Sequence, residues 1–460
     1  MTTAIEALWR VAGLPADALQ HLSLTGVEPV LPSSFAVGTA AQASLAGAAL
    51  AAAEIGRRRN GLRQQVTVDM RLAALECACR FTIDGRVPEL WDKIAGLYRC
   101  RDGWVRLHTN FAHHRDGVLL LLDLPPGAET PREAVAAALQ AWRALDFEQA
   151  GAAAKLVVAA LRSFDVWDRH PQRAAIAALP LVAIERIGDA APLAWPALPI
   201  DARPLCGIRV LDLTRILAGP VGGRTLAAYG ADVMLVNAPQ LPNIEAIADT
   251  SRGKLSALAD LREPAERDAL RAVLRDAHVF VQGYRPGGLA GLGFGPDALA
   301  AARPGIVMVS LSAYGETGPW AGRRGFDSLV QSATGFNLAE AQAAGSAQPK
   351  ALPVQILDMA TGFLIAFGAQ AALLRQQEQG GSWHVRVSLA RTAQWLRELG
   401  RIDTGFEAPP PDFNGLMETT PSGYGALSAM RHAALFSRTP AGWSRPAMPP
   451  GTHPLAWPVG

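Results

Sequence analysis

From residue 205 to residue 396, short apolar runs alternate with stretches of helical period, and most runs are closed by glycine or proline. The first, in GIRVLDLTRILAGP, has Ile208, Val210, Leu211 and Leu213 as a buried strand and Ala218-Gly219-Pro220 as a tight turn into a helix. A strand, a turn and a helix in this order aim backbone N–H groups at whatever sits beyond the strand's end. AAYGADVMLV then places Gly230 at a helix C-cap, ahead of a strand over 233–236. A helix over 264–275 leads to a strand over 278–282, and a fourth strand spans 305–315 after the glycine-rich GYRPGGLAGLGFG. A fifth, over 352–357, carries Asp358 to the mouth of an apolar helix. Five strands interleaved with helices predict an α/β fold: a doubly wound, Rossmann-like parallel sheet, binding its ligands beyond the strand C-termini, with a smaller α+β domain beside it.

Composition agrees with a metabolic enzyme. A chain of 460 residues, 50% hydrophobic and 18% charged, buries a large core in two or three domains. A net charge of +2 leaves no footprint for nucleic acid or an anionic membrane. Cys77, Cys79, Cys100 and Cys206 lack paired metal-ligand spacing and read as free thiols of a reducing, cytoplasmic setting. His113-His114 fall in a loop without a spaced third ligand, so they read as solvated and no metal is expected. The N-terminal MTTAIEALWRVAGLP has an acid and no apolar core of signal length, so export is not expected. The apolar run 359–374 is interrupted by Gly362 and Gly368 and is short for a membrane span.

A shift of the chain against itself by 319 positions sets AAAEIGRRRNGLRQQVTVDMRLAALE on QAALLRQQEQGGSWHVRVSLARTAQW, with Gly61 on Gly380, Val66 on Val385 and Val68 on Val387. Apolar helix, glycine, alternating strand and second helix follow in the same order in both, which is the mark of a degenerate internal repeat. In this register Asp358 meets Thr39, so the first copy has no acid. The chain then divides into the degenerate repeat (1–80), a small α+β domain (81–190) with an Asp102-Gly103 hairpin and helices over 131–145, 147–161 and 171–178, and a proline-rich linker (191–204). The Rossmann-like half (205–400) and an irregular wrapping tail (401–460) complete it.

LDLTRILAGP, AAYGADVMLV, SRGKLSALADL, GYRPGGLAGLG, SAYGETGPWAGRRGFDSLVQ and DMATGFLIAFGAQAALL stand in the order found in family III coenzyme A transferases, the formyl-CoA and carnitine-CoA transferase group, which residues 205–395 resemble. The resemblance implies an interlocked homodimer, coenzyme A as a substrate with no permanently bound cofactor, and an acyl-CoA with a carboxylic acid acceptor as partners. The family's small domain follows its acid-bearing half; here the similar segment comes first, so the chain looks rearranged.

Moving CoA between carboxylates conserves the thioester's energy if a positioned carboxylate attacks the thioester to give an anhydride and then an aspartyl-CoA thioester. By the resemblance Asp358 is that nucleophile, although an Asp ahead of an apolar helix is also a favoured cap. The same match puts Leu217 and Ala218 where backbone meets CoA and Lys254, Arg324 and Arg285 where cations meet its phosphates, while Asn237 replaces the family's acid in LVNAP. Two other readings are open. An α-methylacyl-CoA racemase would exchange an α-proton, but its imidazole position is Phe326 here, and Asp327 reads as a helix cap. A non-catalytic acyl-CoA-binding relative is the other.

Overall fold

The structure is a computed structural model describing residues 3–458. Its strands, in chain order, are β1 (Leu22–Thr25), β2 (Val66–Asp69), β3 (Phe81–Ile83), β4 (Gly96–Arg99), β5 (Trp104–Leu107), β6 (Val158–Ala160), β7 (Ala183–Gly188) and β8 (Arg209–Leu213). They continue with β9 (Asp232–Asn237), β10 (Lys254–Leu258), β11 (Val279–Gln282), β12 (Val307–Ser312), β13 (Ser382–Ser388), β14 (Met417–Ser422), β15 (Gly425–Met430) and β16 (Ala434–Phe436). The main sheet runs β10-β9-β8-β11-β12-β13-β7. All of its strands are parallel except the edge strand β7, and the order of the first six is that of a doubly wound dinucleotide fold.

The sheet differs from the sequence expectation at its acid-bearing end. Residues 352–357 are not a strand: they run irregularly into a helix, Ile356–Gln379, that begins before Asp358. A short apolar run is compatible with either period, and here the run continues as a helix that is buried all round. Likewise Ala218-Gly219-Pro220 is the first turn of its helix, and the turn itself lies over residues 214–217.

The two copies of the repeat open on helices of the same length. Val37–Asn60 and Ile356–Gln379 are helices 319 positions apart, and each ends at a glycine with positive φ, Gly61 and Gly380. They lie side by side and run in the same direction: Gln370 Nε2 donates to the Ala48 carbonyl (3.0 Å), and Arg58 pairs with Glu378 at the far ends (3.5 Å). β1 pairs with β2 as the last four residues of β12 pair with β13, and β16 lies antiparallel on β2 as β7 does on β13. Asp69 and Ser388 cap the helices that follow β2 and β13 in the same way. The N-terminal segment is thus a small echo of the β12-β13-β7 edge of the main sheet. Helix Ile356–Gln379 is long and apolar enough to cross a membrane, but its apolar stretch is buried inside the protein.

The small unit builds a sheet, β4-β5-β6, under helices Ala112–Leu121, Arg132–Leu139 and Ala144–Ala153, with its own core around Tyr98, Val105, Leu107, Val118, Leu119 and Phe147. The end of the expected 147–161 helix is strand β6, and β7, expected within the small domain, joins the main sheet. The Arg162 N–H on the Ser332 carbonyl (3.1 Å) and the Arg323–Glu148 pair (3.6 Å) lock the unit to the Rossmann-like half. The tail after residue 401 is less irregular than its prolines suggest: β14 and β15 form a hairpin extended by β3, and β16 closes on β2. One buried cluster ties three distant segments together. Arg224 lies between Glu76 and Asp249, Arg252 between Asp249 and Glu418, and His432 Nδ1 meets Glu76 Oε1 (3.1 Å).

Candidate active site

The cleft opens beyond the C-terminal ends of β8, β11 and β12, where a doubly wound sheet places its ligands. The Rossmann-like half lines it with Ile216, Leu217, Ala218, Arg285, Leu311, Arg324, Phe326 and Asp358, and the small unit adds Phe111, His113 and His114. One chain therefore supplies both walls. Asp358 is the only carboxylate among the described lining residues, against four guanidinium groups, Arg215, Arg285, Arg323 and Arg324. The cleft encloses about 290 Å³, little for a drug-sized ligand, and continues into a second cavity that shares Leu241, Tyr284, Arg285 and Pro286 with it.

Asp358 sits in the first turn of its helix, 7% exposed, where the aligned peptide dipoles favour a negative charge. The helix is held against the Ala218–Ala228 helix by missing side chains: a Cβ on Gly362 would lie 2.7 Å from the Ala218 carbonyl, and one on Gly222 would lie 2.6 Å from Ile365 Cγ2. That close approach brings Asp358 to the Leu217-Ala218 turn. Ile216, before it, has φ +76°, a conformation that strains a β-branched residue by about 1–3 kcal/mol. The strain lies in the cleft wall.

Asp327, which reads as a helix cap, caps a helix other than the one it begins: the first residue of helix Asp327–Thr334 and fully buried, it accepts the Asp358 N–H at Oδ2 (3.0 Å) and accepts from Gln331 Nε2 at Oδ1. Two buried carboxyl groups thus share one corner. Burial first, and then the neighbouring Asp327 charge, push the Asp358 carboxyl well above the ordinary carboxylate range. Burial lifts Asp327 to about 6, against the Asp358 and Leu357 N–H groups, Gln331 and Arg106, which hold it down. In the first copy Glu28 Oε1 accepts the Thr39 N–H (2.7 Å), the same cap at the position where the acid is missing.

Of the other expected contacts, Leu217, Ala218, Arg285 and Arg324 line the cleft and Lys254 does not. Lys254 is fully buried beneath the cleft floor, with Nζ 2.8 Å from Asp212 Oδ2 and 2.8 Å from the Pro220 carbonyl. The reason is register: Lys254 opens β10, opposite Val233 near the start of β9, at the end of the sheet away from the cleft mouth. Asn237 is buried as well, with both amide atoms unpaired.

His113 and His114 are not in a loop, and of the two only His113 is exposed to solvent. They begin the helix Ala112–Leu121, and His114 Nε2 meets Arg324 Nη1 at 2.8 Å. Burial, then His113, then the cations around it hold the His114 imidazole at about 3, so it is the neutral partner of that guanidinium. Behind the wall His108 stacks on Phe326 at 4.1 Å and 21°. No sequence signal marked these contacts, because His108 and Phe326 lie 218 positions apart on separate units. Among the described residues no cluster of His, Cys, Asp or Glu could hold a metal ion.

A doubly wound sheet with one carboxylate in a cationic cleft beyond its strand C-termini defines an α/β protein with a ligand site at the usual edge of such a sheet. Residues 205–412 match the model of CoA-transferase family III. An acyl-CoA transferase of Gibberella moniliformis is 33% identical over 367 residues, covering 71% of this chain and 64% of that protein. A succinate–glutarate CoA-transferase of Agrobacterium fabrum is 34% identical over 212 residues, covering 42% of this chain and 52% of that one. A crystal structure from Mycobacterium tuberculosis is 31% identical with a TM-score of 0.38, covering 43% of this chain and 58% of that one. The chain spans 37%, 64% and 52% of the first three curated relatives.

Proposed function

We propose that the protein is an acyl-CoA:carboxylate CoA transferase in which Asp358 is the nucleophile. The observation that carries this reading is the lone Asp358 carboxylate, at a helix N-terminus, facing a cleft lined by four arginines. An Asp358 oxygen attacks the thioester carbonyl, the C–S bond breaks, and CoA thiolate leaves from an aspartyl-acyl anhydride. The thiolate attacks the aspartyl carbonyl and releases the donor acid as its carboxylate. The acceptor carboxylate then opens the aspartyl-CoA thioester to a second anhydride, and thiolate attack on the acceptor's carbonyl yields the new acyl-CoA and restores Asp358. Each tetrahedral stage carries an oxyanion, and the N–H of Ala218, one of those that no helical carbonyl meets, borders the cleft. Arg285 and Arg324, both in the cleft lining, support contacts to the phosphates of CoA as substrate rather than bound cofactor.

Both cleft walls come from one chain, and a homodimer is part of the same reading. A cytoplasmic setting is part of the same reading, in keeping with four free thiols.

Incubation with acetyl-CoA and hydroxylamine, followed by peptide mass spectrometry, tests the reading. A hydroxamate on Asp358 is expected; an unlabelled protein that still binds acetyl-CoA is a binding module. One observation favours a second reading: His113 and His114 line the same cleft as Asp358, although Phe326 occupies the racemase imidazole position. An α-proton exchange activity would show as deuterium uptake by 2-methylacyl-CoA in D2O.

A further inference from the structure

The carboxylate beside the nucleophile is the least expected feature of the site. The Asp358 N–H needs a cap, and a neutral amide or hydroxyl would supply one without setting two carboxylates together. The first copy uses a carboxylate cap too, Glu28, but Thr39 stands at the acid position there and no like charge is opposed. Only in the second copy does the cap act on the reacting group. Its placement is over-determined: Gln331 Nε2 holds Asp327 Oδ1, Gln331 Oε1 accepts the Leu352 N–H (3.0 Å), and Asp327 Oδ2 accepts the Asp358 N–H (3.0 Å). The segment leading into the Asp358 helix is thus clamped at both ends by one helical turn.

We infer that Asp327 is a positioning residue whose negative charge, held against Asp358 through the helix N-terminus, drives the nucleophile into its covalent, uncharged form. This rests on the reading of Asp358 as nucleophile. As a free carboxylate, Asp358 faces the Asp327 charge in a buried corner. Once its oxygen has bonded to the acyl carbon and the C–S bond has broken, the negative charge has moved to the CoA sulfur, among the cleft cations, and the repulsion is gone. The anhydride and the aspartyl-CoA thioester are both favoured by this relief, and the free carboxylate is the more basic and nucleophilic for it.

The charged and titratable groups around the pair are few. Asp327 is faced by Asp358 from the helix Ile356–Gln379 and by Arg106 from β5, with the neutral Gln331 on its own helix. Asp358 is faced by Asp327 and, across the cleft, by His113, His114, Arg215, Arg285, Arg323 and Arg324. Removing the Asp327 charge should therefore let Asp358 ionise at lower pH.

The test is the pH dependence of Asp358 labelling by acetyl-CoA and hydroxylamine in the full chain, wild type against Asp327→Asn, which keeps a capping oxygen. In the wild type the acid limb of labelling is expected well above the ordinary aspartate position of about 4. In Asp327→Asn the limb should move down by about one unit or more, and labelling on the neutral plateau should slow by about tenfold. A limb that stays in place while the plateau falls would make Asp327 a purely structural cap and overturn the inference. Should Asp327→Asn fail to fold, the wild-type profile decides alone: a limb at the ordinary aspartate position overturns it. Absence of any Asp358 label at all pH values would instead refute the nucleophile.

Discussion

Replacing Lys254 by methionine separates a ligand contact from a buried ion pair. Lys254 and Asp212 are each 0% exposed, and the Nζ has two partners at 2.8 Å, Asp212 Oδ2 and the Pro220 carbonyl. Burial lowers the lysine's proton affinity, and Asp212 opposes that shift. Methionine fills the space of the stem but leaves the Asp212 carboxylate enclosed with Thr214 as its remaining side-chain donor. Removing one partner of a buried pair costs about 3–5 kcal/mol, against about 0–1 kcal/mol for an exposed lysine. At about 1.4 kcal/mol per factor of ten, the folding equilibrium should fall by about two to three and a half orders of magnitude. Urea unfolding followed by fluorescence reads this as a lower midpoint, and Asp212→Asn combined with Lys254→Met should recover a large part of the loss by removing the stranded charge. The reasoning is wrong if Lys254→Met is within about 1 kcal/mol of wild type and loses CoA affinity instead, since that is the signature of a phosphate contact.

Asp358→Asn should reduce transfer by roughly 10³-fold or more with the unfolding midpoint unchanged, because the amide retains a capping oxygen but no nucleophile; wild-type turnover would remove Asp358 from the chemistry. Glu76, where burial pushes the carboxyl up but His432, Arg224 and the Ala433 N–H together outweigh it, is held at about 2. Its folded value is depressed, so it adds on the order of 3 kcal/mol above the ordinary Glu range, lost as pH falls from about 4.5 to about 2. Glu76→Gln should flatten stability over that window, and an unchanged slope would refute the linkage. Incubation with 2-methylacyl-CoA in D2O should give no enzyme-dependent α-exchange, and rapid exchange would point to His113 or His114 as a base. A fragment of residues 202–458 should be insoluble or inactive, since it strips the Val37–Asn60 helix from the buried face of Ile356–Gln379; a soluble, fully active fragment would make the N-terminal region an accessory.

Local order was legible in the sequence. Apolar runs of strand length, glycines where the chain must turn, and a helix-glycine-strand-helix pattern repeated at 319 positions depend on neighbours a few residues apart, and period and turn chemistry report such neighbours directly. The doubly wound sheet, the position of Asp358 at a helix start and the shared length of the two paired helices follow from that. The tertiary structure alone decided which face each residue meets. Lys254 reads as a cation in a glycine-flanked motif, and only the register of β10 on β9 sends it beneath the floor rather than into the cleft. Asp327 and Asp358 are 31 positions apart and share a corner because two helices start at the same place. His114 and Arg324, 210 positions apart, meet because the small unit folds back over the sheet. Charge, proton affinity and function at this site arise from such long-range contacts, whose partners no local period encodes.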